Sequence, residues 1–179
     1  MKQVLFKSGK AFVENTPAPS VEPGTVLVHV EYSCISAGTE ISGVRSSGEP
    51  IWKRALKHPD EVKQVLSMVS DQGIRRIHRM VKGKLTSGTA LGYSAAGKVI
   101  AVGEGISDLV EGDKVACAGA QCAHHAEIIR VPRNLVARMP KDLPMESGRT
   151  VTLGTIALHG VRRCEPTLGE TIVVVGLGI

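Results

Sequence analysis

The sequence predicts a mainly β fold with α, and three observations carry that reading. Residues 91 to 119, LGYSAAGKVIAVGEGISDLVEGDKVACAG, read as strand, tight turn, strand. Residues 25 to 35, TVLVHVEYSCI, place Val26, Val28 and Val30 at alternate positions, the pattern of a strand with one face in a core. Two stretches abandon alternation: 45 to 86 for helical spacing, and 145 to 163 for a proline-free run of helix-compatible residues.

In chain order, Val4 to Phe6 and Ala11 to Glu14 are expected as short strands around a turn at Ser8-Gly9. Pro17, Pro19 and Pro23 then exclude regular structure up to Gly24. In the strand at 25 to 35, His29 and Glu31 fall opposite the valines and are expected in solvent. Ser36-Ala37-Gly38-Thr39-Glu40 follows as a loop whose small residues let backbone approach backbone or a ligand. Three helical pieces are expected at 52 to 57, 60 to 70 and 74 to 84. Val62, Val65, Leu66 and Val69 form the apolar face of the second, and Ile74, Ile77, Val81 and Leu85 repeat the spacing after it.

Within the organising stretch, Val99, Ile100 and Val102 are β-branched residues suited to a pleated surface, and Glu111-Gly112-Asp113-Lys114 turns into the next strand. Residues 122 to 131 read as a further strand, with Ala126, Ile128 and Arg130 alternating against Glu127 and Ile129. Asn134 to Met139 is short and extended. Residues 145 to 163 lack proline and suit a helix. Thr171 to Val175 is a continuous β-branched run, the pattern of a parallel strand buried on both faces. Gly176-Leu177-Gly178 after it opens a dinucleotide-binding turn, so the chain is expected to be truncated there.

The totals narrow the function. A chain of 179 residues with 42% hydrophobic content supports one core and part of a second domain. No run approaches the roughly 18 apolar residues of a membrane helix, and residues 1 to 10 lack the apolar core of a signal peptide, so a cytoplasmic location without membrane partners is expected. The four cysteines are expected as free thiols. Residues 45 to 84 hold ten Lys/Arg against four Asp/Glu, a net of +6, while the rest carry 12 against 13, a net of −1. That basic segment is a solvated face or a lid attracting an anionic substrate. Nucleic-acid binding is not expected, because 3% aromatic content leaves few stacking platforms.

The motifs G-K-V-I-A-V-G and E-G-D-K-V within residues 97 to 115 resemble the GroES-like catalytic domain of the medium-chain dehydrogenase/reductases. L-G-Y-S-A-A-G, C-I-S-A-G-T-E, H-A-E-I-I-R-V-P-R-N-L and the insert's H-P-D-E-V-K-Q-V-L further resemble the bacterial bi-domain oxidoreductases linked to polysaccharide and sugar metabolism. The resemblance implies a GroES-like, partly open β-barrel over 1–144 with a helical insertion at 45–86. Residues 145–179 would then be the start of an NAD(P)-binding Rossmann domain, with its first helix and strand and with Gly176, Leu177 and Gly178 as cofactor-binding residues. Zinc-dependent members of the superfamily carry a ligand cysteine where this chain has Ala37 and a ligand histidine where it has Tyr93. Alanine offers no donor and a neutral phenol a poor one, so no zinc is expected.

The implied protein is an NAD- or NADP-dependent, zinc-independent, alcohol dehydrogenase-like oxidoreductase acting on an alcohol or carbonyl of a sugar-like substrate, the fragment itself being inactive. A homo-oligomer and a small, anionic or sugar-linked substrate are the expected partners. The alternative is a non-catalytic binding or scaffold module that keeps the fold. Without a metal, carbonyl polarisation falls to hydrogen-bond donors and acids. Thr39, at the position that relays the substrate proton in the zinc enzymes, Tyr93 and His125 are the candidate catalytic residues. Glu40 matches an acid beside the metal site. The cluster Cys117, Cys122, His124, His125 has soft donors but not the spacing of a common zinc site.

Overall fold

Two antiparallel sheets carry the fold in this computed structural model, which describes residues 1–48 and 88–176. The first has strand order β2-β1-β4, from β1 (Lys2–Lys7), β2 (Lys10–Asn15) and β4 (Thr89–Ala90). Ser8 and Gly9 both take positive φ, 50° and 79°, as a tight hairpin between right-twisted strands requires. The second has order β7-β3-β5-β6-β8, from β3 (Thr25–Ser33), β5 (Ser94–Val102), β6 (Lys114–Ala118), β7 (Ile128–Pro132) and β8 (Val136–Arg138).

The core lies on the inner face of the larger sheet. Val26, Val28, Val99, Val115 and Val131 are fully buried there with Cys117, Ile129 and Val136 around them. Each such valine withdraws enough apolar surface to contribute about 1.5–3 kcal/mol. His29 and Glu31 are exposed, as the alternation predicts. The β5–β6 pair follows the expected strand, turn, strand, running from Ser94↔Ala118 to Lys98↔Lys114. Its turn is tied by Asp113, whose Oδ2 accepts the Val110 N–H at 2.9 Å and an Arg138 N–H at 2.7 Å. Gly97 is required by a close crossing: a Cβ there would run into the His29 carbonyl of β3.

Several expectations need correction. Residues 36 to 40 are not a loop: α1 (Ala37–Ser47) begins there, ahead of the expected helical boundary at 45. Ser36 accepts the first helical bond from the Glu40 N–H, and Glu40 reaches back to the Ser36 N–H at 3.0 Å, so polar residues that resemble a loop are an N-terminal cap. The strand expected over 122 to 131 is only β7, and its phase is opposite to the reading. Ile129 and Val131 point inward because they sit across from Val28 and Val26 of β3. Residues 134 to 139 hold part of a 3₁₀ turn (Arg133–Leu135) and then β8.

The helix expected over 145 to 163 is two helices, α2 (Met145–Gly148) and α3 (Val151–Cys164). The break has a side-chain cause: the buried Ser94 hydroxyl donates to the Arg149 carbonyl at 2.6 Å and accepts the Thr152 N–H at 3.2 Å. Residues 171 to 175 form no strand, and Val175 is 94% exposed. A β-branched run becomes a strand only when a neighbour supplies the ladder, and none is present among the described residues. The expected helical pieces at 52 to 57, 60 to 70 and 74 to 84 lie outside the described residues, as do Leu177 and Gly178. No helix among the described residues is long and apolar enough to cross a membrane.

Candidate functional site

The end of β3 and the start of β5 lie side by side, with Ser33 across from Ala95 and the Cys34 N–H donating to the Ser94 carbonyl at 3.0 Å. What leaves β3 is the first turn of α1, and what enters β5 is Gly92-Tyr93. The two motifs that the resemblance singled out are therefore brought to one end of one sheet. A β-bulge between Val30 and Tyr32 shifts the phase of β3 just before that end. Strict alternation assigns Ser33 to the face of His29 and Glu31. After the bulge its hydroxyl instead meets His125.

His125 is the centre of the arrangement. Its Nδ1 lies 2.8 Å from Ser33 Oγ and its Nε2 lies 3.1 Å from Glu40 Oε2. The two side chains of the His125–Glu40 pair are 9% and 10% exposed. The histidine backbone is fixed as well: its N–H donates to the Leu91 carbonyl and its carbonyl accepts the Val4 N–H, each at 2.8 Å. Gly92 forms the wall behind the ring. It has φ +99°, and a Cβ there would stand 2.7 Å from the His125 nitrogen and 3.0 Å from Nδ1.

Thr39 is exposed on the first turn of α1, its hydroxyl 3.3 Å from Ser36 Oγ. Tyr93 is half-buried, and its backbone carbonyl accepts the Gly119 N–H at 2.9 Å and the Thr152 hydroxyl at 3.0 Å. Its phenol has no hydrogen-bond partner among the described residues. Ser94, beside it, is occupied with α2 and α3. Gly176 has φ +84° and open space where a Cβ would stand. Ser33 was absent from the sequence-derived candidates, and no residue pattern could have found it, because its orientation depends on the bulge. Glu40 left a weaker signal, an acidic residue in the first turn of a helix.

The Cys117–His125 stretch does not converge on one point. Burial pushes the Cys117 thiol up to about 12, and burial also raises Cys122, whose Sγ faces the Ala118 carbonyl at 3.4 Å. His124 turns to the Ala120 carbonyl at 3.2 Å; its burial, with the neighbouring His125, lowers it below the usual histidine range against the raising effect of that carbonyl. Among the described residues, no three of His, Cys, Asp or Glu are grouped so as to hold a metal ion. At the motif end of the sheet, among the described residues, Glu40 and His125 are bonded to each other, the half-buried Cys34 thiol lies 3.9 Å from the Ile35 carbonyl, and Ala37 offers a methyl group. Among the described residues these groups do not assemble the three protein ligands of a catalytic zinc site.

Known proteins share this arrangement of strands. The crystal structure of galactitol-1-phosphate dehydrogenase from Escherichia coli superposes with a TM-score of 0.66 at 21% identity, over 92% of this chain and 45% of that one. The fold is GroES-like. In sequence, galactitol 1-phosphate 5-dehydrogenase of Escherichia coli K12 is 28% identical over 151 residues, covering 69% of this chain and 43% of the relative. An uncharacterised zinc-type alcohol dehydrogenase-like protein of Haemophilus influenzae is 26% identical over 182 residues, covering 97% of this chain and 48% of the relative. Both relatives are named as dehydrogenases or dehydrogenase-like proteins, and the second is named as zinc-type. The chain spans less than half the length of each. No protein-family model matches it.

Proposed function

We propose that this chain supplies the substrate side of an alcohol dehydrogenase-like oxidoreductase that uses NAD or NADP, with residues 1–144 as the catalytic domain and 145–179 as the start of the nucleotide domain. The observation that carries the reading is the meeting of the α1 first turn and Tyr93 at one end of the larger sheet, around the buried His125–Glu40 pair. The relatives' names extend it to an alcohol or carbonyl on a sugar-like, anionic substrate, since one of them acts on galactitol 1-phosphate.

Oxidation of an alcohol removes a hydride from carbon and a proton from oxygen. A bound nicotinamide would supply the hydride acceptor. The phenol of Tyr93, free of protein partners among the described residues, hydrogen-bonds the substrate oxygen and stabilises charge developing on it. Thr39 Oγ1, with Ser36 Oγ 3.3 Å behind it, takes the hydroxyl proton toward solvent. His125 acts from behind this surface, through its contacts with Ser33 and Glu40.

The reading includes independence from zinc, a departure from the Haemophilus influenzae relative, which is named as zinc-type. Ala37 and Tyr93 stand where ligands would be needed, and Glu40 is engaged at both oxygens. The test is nicotinamide reduction by the full-length protein with polyol phosphates, wild type against Tyr93→Phe. A fall in kcat of about tenfold or more, equivalent to about 1.4 kcal/mol, is expected. Absence of reduction by wild type, together with no stabilisation by NAD(H) or NADP(H), would refute the assignment.

A further inference from the structure

Glu40 and Ser94 are the two buried polar side chains among the described residues. Ser94 is accounted for by the start of α3. Glu40 is not explained by helix capping alone, because capping uses only Oε1, through the Ser36 N–H, and leaves Oε2 to His125. A carboxylate withdrawn from water needs a donor at each oxygen. Here one donor belongs to its own helix and the other comes from a loop 85 positions away.

The imidazole cannot easily take another pose. Its backbone is bonded to Leu91 and Val4, Gly92 closes one side, and Ser33 holds Nδ1. Because the Glu40 carboxylate only accepts, Nε2 must carry the proton of the His125–Glu40 bond. In the neutral ring, Nδ1 then accepts from the Ser33 hydroxyl. Neither ring nitrogen is left for a substrate.

We propose that His125 is a positioning residue. With Ser33 as its stop, it holds Glu40, and through Glu40 it holds the N-terminal turn of α1 that carries Thr39. Rotation or loss of the ring releases Oε2, loosens the Ser36 cap and moves the Thr39 hydroxyl relative to Tyr93. The proposal rests on the oxidoreductase reading for its kinetic consequence, but the ring geometry is observable without activity.

The experiment combines ¹⁵N-resolved imidazole spectra with steady-state kinetics on the full-length protein. The variants are Glu40→Gln, Ser33→Ala, His125→Gln and His125→Ala, with His124→Gln used for assignment. The wild-type ring is expected as the Nε2–H tautomer. Ser33→Ala should move the Nδ1 signal while Nε2–H persists, and Glu40→Gln should abolish the single-tautomer signature. Glu40→Gln should lower kcat about tenfold or more with KM within about twofold, the mark of an interaction made in the transition state only. His125→Gln, which keeps a donor able to reach Glu40, should retain more activity than His125→Ala.

An Nδ1–H tautomer, or ring signals indifferent to Glu40→Gln, would overturn the proposal. So would unchanged kcat in a folded Glu40→Gln variant while Tyr93→Phe loses activity, and in that case the oxidoreductase reading survives. If wild type shows neither nicotinamide-coupled activity nor stabilisation by NAD(H) or NADP(H), the oxidoreductase reading fails and the kinetic arm with it, while the ring spectra still decide whether His125 holds Glu40.

Discussion

Glu40 and His125 stand 85 positions apart in the sequence, and their side chains meet at 3.1 Å behind the first turn of α1. The contact joins the helix that leaves β3 to the loop between β6 and β7. It also places both motifs of the candidate site, the α1 turn and Gly92-Tyr93, around one imidazole. A pair this buried is costly to break from one side, because the remaining partner is left without its donor or acceptor.

Gly92 should be the least replaceable residue near the site. At φ +99° an L side chain is strained, and its Cβ would be 2.7 Å from the His125 backbone nitrogen. Gly92→Ala is expected to destabilise the fold by about 2 kcal/mol or more, adding strain to displacement of the loop. Urea unfolding measures it. A midpoint equal to wild type would mean that the loop is not held as described.

His124 links stability to pH. Burial holds His124 below its ordinary value, so the folded state favours the neutral ring. The sign follows from linkage: with the folded pKa depressed, the unfolded chain binds more protons, and stability rises with pH. His124 therefore contributes stability that is complete above about pH 6.5 and is lost as pH falls from there through its lowered folded value. His124→Gln should flatten the stability profile between about pH 7 and 5, measured by denaturant titration at fixed pH values. An unchanged slope in that window would contradict the burial argument.

Thiol chemistry separates the four cysteines. Cys164 is exposed, Cys34 and Cys122 are half-buried, and Cys117 is buried with its thiol pushed up to about 12. Only the thiolate reacts, so at pH 8 a disulfide reagent should modify Cys164 first and leave Cys117 intact until the protein unfolds. Early labelling of Cys117, read by mass spectrometry of peptides, would mean that the core around Val115 and Val136 opens easily.

Much of the fold was legible because local chemistry and tertiary demand agree there. The Val26-Val28-Val30 alternation, the Ser8-Gly9 hairpin and the Gly112-Asp113 turn each state their structure in a few residues. The errors arose where a distant element decides. Ile129 and Val131 face inward because β3 fixes their register, and a period-2 pattern does not reveal its own phase. The helix at 145 to 163 breaks because Ser94 inserts its hydroxyl. Residues 171 to 175 remain without a ladder. At the candidate site, Thr39, Tyr93 and His125 are the residues the sequence offers, but Ser33 depends on a bulge that no composition announces.

The central claim is that this sheet end supports hydride transfer through protein hydroxyl groups without a metal. It is tested most directly by the initial rate of polyol phosphate oxidation with NAD⁺ or NADP⁺, measured on the full-length protein before and after exhaustive dialysis against a chelator. The account predicts the same rate, within about twofold, in both samples. A rate that falls more than about tenfold and returns on adding zinc would contradict it, as would no rate at any metal content.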